Sequence, residues 1–171
     1  MIKSDRKLAE LSKLLINGKY NEINARISML RTEEPFKGAI SMLAGFYDET
    51  GDEGLKLAIS AFLNDMKEQS GQAEVIEALA SVVNPASKTM LASSCWQSGL
   101  DYSRYAVQLA DAFMEGDFLT SLECFTVLDT WAMYVSDRDR ADIIFRLQNE
   151  KVKYDPAKQK LAEELITVLK G

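Results

Sequence analysis

A chain of 171 residues, 47% hydrophobic and 27% charged, carries enough apolar material for one packed domain, which excludes a disordered tail. Its net charge of −6 repels phosphate backbones and argues against DNA or RNA as a partner. It contains no histidine, which removes the commonest general base, the usual zinc ligand, the Ser-His and Cys-His nucleophile pairs and the Glu-x-x-His di-iron motif.

Helical periodicity then runs through the chain in order. Leu8, Leu11 and Leu15 form a first apolar stripe, followed by Ile23, Ile27 and Leu30, and by Phe36, Ile40, Leu43 and Tyr47. The clearest stripe is Leu55, Ala58, Ile59, Phe62, Leu63 and Met66. After it come Val75, Ile76, Leu79 and Val83; Met90, Leu91 and Cys95; and Tyr102, Tyr105, Ala106, Leu109 and Phe113. The last three are Phe118, Leu122, Phe125 and Leu128; Ile143, Ile144 and Leu147; and Leu161, Leu165, Ile166 and Leu169. This predicts about ten helices of roughly 12 to 17 residues and no sustained strand alternation.

Gly18, Gly51, Gly71, Gly99 and Gly116 stand where helices should end, in the left-handed conformation glycine tolerates. Asp52, Asp101 and Asp117 follow as N-caps, and Asn84-Pro85 and Asp155-Pro156 are cap and first-turn pairs. Links of about two to five residues make successive helices antiparallel. The expectation is a single helical-repeat domain over residues 1–171, an all-α, right-handed α-solenoid of about five antiparallel helix pairs of ~34 residues.

Internal similarity supports a repeat. Asn84-Pro85 before Leu91 and Cys95 parallels Asp117-Phe118 before Leu122 and Phe125. Ala73 to Gly99, followed by Tyr102 to Trp131, resembles two consecutive HEAT repeats of the armadillo-type superfold over about 60 residues. Gly18-Lys19-Tyr20 through Ile27 and Gly116-Asp117-Phe118 through Phe125 resemble instead the Gly-x-aromatic turn of tetratricopeptide repeats. That pattern wants a small residue five positions after the glycine; Ser121 fits and Ile23 does not. The HEAT-like resemblance implies a scaffold or adaptor role.

Charge is unevenly spread. Residues 1–31 carry net +4, residues 32–135 net −11 and residues 136–171 net +1. An acidic middle can receive a basic protein segment, although acidic residues also simply solvate outer helix faces and cap helix starts. The basic first helix (Lys3, Arg6, Lys7, Lys13) lacks interleaved aromatics for base stacking and reads as a polar cap.

Aromatics cluster at Trp96, Tyr102, Tyr105, Trp131 and Tyr134. At about 100° per residue Trp96 falls to one side of the Met90, Leu91 and Cys95 stripe, so it packs on a neighbouring pair or faces a groove. Trp96, Tyr102, Tyr105 and Trp131 are the candidate partner contacts, because such residues bury much area at low entropic cost; packing between repeats is the competing role.

Other candidates carry less. Cys95 and Cys124 read as core thiols, with no Cys-x-x-Cys and no basic neighbour. Gly51-Asp52-Glu53-Gly54 lacks the lysine of a phosphate loop. Glu33-Glu34 and Glu163-Glu164 point apart on a helix and read as helix-start charge and solvated face. No catalytic, metal or cofactor residue is expected. The polar N-terminus without an apolar leader segment, the lack of an ~18-residue apolar run and the two cysteines lead to an expected cytoplasmic protein that does not bind membranes.

The sequence thus leads to a non-catalytic scaffold that binds a protein or peptide on one face, with a basic segment among the candidates. The alternatives are a HEAT-type nucleic-acid-processing enzyme, which needs a basic groove, and a self-association module; the oligomeric state stays open.

Overall fold

The computed structural model describes residues 3–171. Those residues form ten α-helices and no strand: α1 (Lys3–Asn17), α2 (Tyr20–Leu30), α3 (Ala39–Glu49), α4 (Glu53–Asn64), α5 (Gln72–Ser81), α6 (Pro85–Gln97), α7 (Ala106–Glu115), α8 (Phe118–Trp131), α9 (Asp137–Glu150) and α10 (Pro156–Lys170). Four short 3-10 turns lie in the links, at Gln69–Gly71, Ser103–Tyr105, Ala132–Tyr134 and Lys151–Lys153. The helices run 10 to 15 residues, shorter than the periodicity predicts.

Each odd-numbered helix packs on the even one that follows it. In addition α2, α4, α6, α8 and α10 touch one another in sequence, and so do α1, α3, α5, α7 and α9. One apolar core follows these contacts, from Leu11, Ile27 and Leu43 through Ile59, Leu91 and Phe113 to Ile143 and Leu165.

The helix starts carry the expected chemistry. Asp52 accepts the Leu55 N–H at 3.1 Å and Asp117 that of Thr120 at 2.9 Å. Asn84 and Asp155 accept first-turn N–H groups ahead of Pro85 and Pro156. Each satisfies an orphan donor and typically contributes about 1 kcal/mol. Asp101 differs: it accepts the Ser103 N–H, which starts a 3-10 turn rather than α7.

Gly18, Gly51, Gly99 and Gly116 follow helix ends as expected and Gly71 instead precedes α5, but the left-handed conformation is found at one of the five. Gly99 has a positive φ, whereas Gly18, Gly51, Gly71 and Gly116 do not. At Gly116 the requirement is closeness: a Cβ would lie 2.7 Å from the Ala112 carbonyl oxygen and from Thr120 Cγ2. The other glycine that needs its freedom is Gly38, which enters α3 at φ 92° with its Cα against Leu8.

Link lengths also depart from expectation, and in a pattern. The links 18–19, 50–52, 82–84 and 116–117 are two or three residues, whereas 31–38, 65–71 and 98–105 are seven or eight. Long links therefore follow even helices. Phe36 and Met66, placed on helical stripes by the sequence, sit in these links, and Val83 is exposed beyond the end of α5.

The α8 stripe is corrected as well. Phe118 and Leu122 are exposed, while Thr120, Ser121, Cys124, Val127 and Leu128 are buried. The reason is that α8 lies against α6, α7 and α10; small side chains allow three neighbours to approach, and their hydroxyls find partners inside. Ser121 donates to the Phe113 carbonyl at 2.8 Å, and the Thr120 and Thr89 hydroxyls meet at 3.0 Å.

One buried charge ties the C-terminal helices together. Lys158, 6% exposed, donates to the carbonyls of Met114 at 2.9 Å and Gly116 at 2.6 Å, where α7 ends. Its ammonium also lies 4.5 Å from the Tyr154 ring centre. A cation on the last carbonyls of a helix satisfies orphan acceptors and complements the helix dipole. Burial lowers the Lys158 pKa, opposed by the charges of Asp155 and Asp117.

Candidate functional site

The four aromatic candidates separate. Tyr102 is fully buried, so it is removed from the set of contact residues. It packs in the 98–105 link with Tyr105, which is half-buried, at 6.1 Å between ring centres. The Tyr102 hydroxyl lies against Cys95 and Ser98 and forms no hydrogen bond of good geometry; burial pushes its pKa up. Trp131 is half-buried, with its indole N–H enclosed and unpartnered, and it packs on Tyr134 at 5.8 Å. Tyr134 is the exposed member of that pair.

Trp96 stays at the surface, 40% exposed. Its indole N–H donates to Glu123 Oε2 on α8 at 2.6 Å, a charge-assisted bond that holds the ring between two helices. Beside it runs a shallow groove of about 510 Å³ on α4, α6 and α8, lined by Asn64, Thr89, Ser93, Gln97, Leu119 and Glu123 among others. Leu119 is 58% exposed, and Phe118 and Leu122 on the same end of α8 are also exposed. Asn64 donates to Gln97 across the groove at 2.9 Å. The surface thus combines a held aromatic ring, exposed apolar side chains, neutral hydrogen-bonding groups and the carboxylates of Asp117 and Glu123.

A deeper depression lies elsewhere. The 31–38 and 65–71 links, with the ends of α2 and α4 and the starts of α3 and α5, enclose a cavity of about 580 Å³. Phe36, Ile40, Phe62 and Met66 provide apolar lining. Six carboxylates (Glu33, Glu34, Asp65, Glu68, Glu74, Glu77) and three cations (Arg31, Lys37, Lys67) surround it.

Several of these charges are already engaged. Arg31 pairs with Asp65, and Glu33 pairs with Arg26 and with Lys7. The Arg26 hydrogen bond, helped by the Arg26 and Lys7 charges, holds the Glu33 carboxyl below the usual range. Glu74 accepts the Ser41 N–H at 2.9 Å and so caps α3 from the neighbouring α5. Glu33 and Glu34 are thus link residues, not the helix-start charge read from sequence, because α3 begins only at Ala39. The available signal was the Pro35 to Gly38 stretch, which breaks the helical period.

The thiols offer little chemistry. Cys95 and Cys124 are buried, and desolvation raises the pKa of Cys95 to about 12 and that of Cys124 further. Among the described residues no group of three His, Cys, Asp or Glu is placed to hold a metal ion, and no helix is long and apolar enough to cross a membrane. Compared with known proteins, the chain matches no family model, no curated protein and no solved structure.

Proposed function

We propose that the chain is a non-catalytic α-solenoid scaffold of about five antiparallel helix pairs that binds a protein or peptide partner on the face carrying Trp96. The stacking is supported by four side-chain bonds that join like positions of successive even or successive odd helices at 33 to 35 residues, beside others that span 27 to 31. Arg31 and Asp65 are 34 residues apart, Ser41 and Glu74 33, Asn64 and Gln97 33, Asp111 and Arg146 35. Bonds of this kind link like positions in successive units, as a translational repeat requires. The separation lies nearer the ~34-residue tetratricopeptide period than the ~40–47-residue HEAT period.

The observation that carries the binding role is Trp96, half-exposed, fixed by Glu123 and flanked by the groove with Leu119. A surface tryptophan already held in place loses little freedom on binding, and such residues dominate interface energies.

The test is quantitative capture from the native lysate on immobilised wild-type and Trp96→Ala chains, with melting curves for both. The expected result is loss of the specific partner from Trp96→Ala by about tenfold or more, with melting nearly unchanged. Undiminished capture by Trp96→Ala overturns the assignment of the partner to this face.

A further inference from the structure

We propose that the cavity between the 31–38 and 65–71 links is a recognition pocket for a basic residue of the partner protein, a lysine or arginine with an apolar residue beside it. This rests on the protein-binding reading above, but on a different part of the molecule.

At about 580 Å³ the cavity is the size of known ligand sites. Its apolar lining is built on Phe36 and Ile40, which are buried, and on Phe62 and Met66, which are half-buried and leave surface open to a ligand. Around it six carboxylates face three cations of the lining, and Arg26 and Lys7 on Glu33 bring the excess to one negative charge. Arg31 is taken by Asp65, and Glu33 by Arg26 and Lys7, which lie outside the lining. Glu34, Glu68 and Glu77 are left, without an ion-pair partner among the described residues. Lys37 and Lys67 oppose them, and the Lys67 ammonium is drawn 3.5 Å from the Ser98 carbonyl in the next long link.

An acidic rim over an apolar base selects its occupant. An anionic group meets more carboxylates than ammonium groups, and a neutral apolar group leaves the excess charge of the exposed rim unmatched. A lysine or arginine satisfies both parts: its aliphatic stem lies along the apolar base while its charged head reaches the rim. The next apolar residue of the partner then covers Phe62 and Met66. All of the lining except Leu30 and Arg31 belongs to the part of the chain that carries net −11, and that charge steers a basic partner towards it.

The test uses fluorescein-labelled Gly-Ser peptides with a central Leu-Arg-Leu, Leu-Gln-Leu or Leu-Glu-Leu, followed by anisotropy at low and high salt. Leu-Arg-Leu is expected to bind about tenfold more tightly than Leu-Gln-Leu, with the gap closing as salt screens the rim. The triple variant Glu34→Gln, Glu68→Gln, Glu77→Gln is expected to erase that preference. Ala73→Trp, placed at an exposed lining position, closes the mouth and is expected to abolish binding; circular dichroism of both variants should match wild type. A matched control, Glu115→Gln, Asp129→Asn, Glu164→Gln, removes exposed acids elsewhere and should leave the preference intact. Equal binding of the three peptides, no binding up to about millimolar concentration, or equal losses in the triple variant and its control each overturn the pocket. Trp96→Ala separates the two sites. If it alone abolishes peptide binding while the cavity variants bind normally, the pocket fails and the Trp96 face stands; if the cavity variants alone lose binding, the pocket stands whatever becomes of that face.

Discussion

The links 31–38 and 65–71 enclose open space, whereas 98–105 and 132–136, which likewise join an even helix to the next odd one, are occupied by rings. In the first region the charged side chains stand around a volume that nothing fills. In the second, buried Tyr102 packs with Tyr105, and half-buried Trp131 at the end of α8 with the exposed Tyr134. Each region carries large aromatic side chains, Phe36 and Phe62 in the first and Tyr102 and Tyr105 in the second, so where the rings sit rather than how many there are separates an open link from a filled one. The aromatic pairs that drew attention in the sequence lie in the links without this cavity, and the available space lies over Phe36 and Phe62.

The contrast can be broken by emptying the filled side. Tyr102→Ala removes a fully buried ring and is expected to destabilise the fold by about 3–5 kcal/mol, measured by denaturant unfolding. A smaller loss follows from cutting the tie between α10 and the end of α7. Lys158→Met keeps the volume but leaves the Met114 and Gly116 carbonyls without their donor, at an expected cost of about 1–3 kcal/mol.

On the open side the effect is smaller and depends on pH. Glu33 has a carboxyl pKa below its ordinary 4.5, so the folded state binds fewer protons there than the unfolded chain. Its contribution is present above that ordinary value and is lost as pH falls through the lowered one. Glu33→Gln is thus expected to cost under about 1 kcal/mol near neutral pH, and the difference from wild type should vanish in acid. A difference that persists at the acid end would show that Glu33 acts by shape rather than charge. Smallest of all, Tyr102→Phe deletes a buried hydroxyl that makes no good hydrogen bond; stability should stay within about 0.5 kcal/mol of wild type or rise.

The helices were legible because most bury a single stripe. Leu55, Ile59 and Leu63 of α4 read correctly for that reason. The exception was α8, where three neighbouring helices bury threonine, serine and cysteine, and periodic hydrophobicity carries no signal for such a side chain. The caps at Asp52, Asn84, Asp117 and Asp155 were legible because the chemistry is local. The cavity was not, because its walls come from two links about 34 residues apart whose lengths depend on how the helix ends pack. Lys158 was hidden likewise: a lysine in a first turn looks solvated until the end of α7 is placed against it. Trp96 was legible as a residue off the buried stripe, but its partner Glu123, 27 residues on, was not.

Among the described residues no side-chain hydrogen bond reaches further along the chain than the 44 residues from Met114 to Lys158. Held at its two ends and pulled, such a molecule has no long-range staple that must break first. It should give way from its extremities inward, so that it lengthens in small steps rather than in a single rupture.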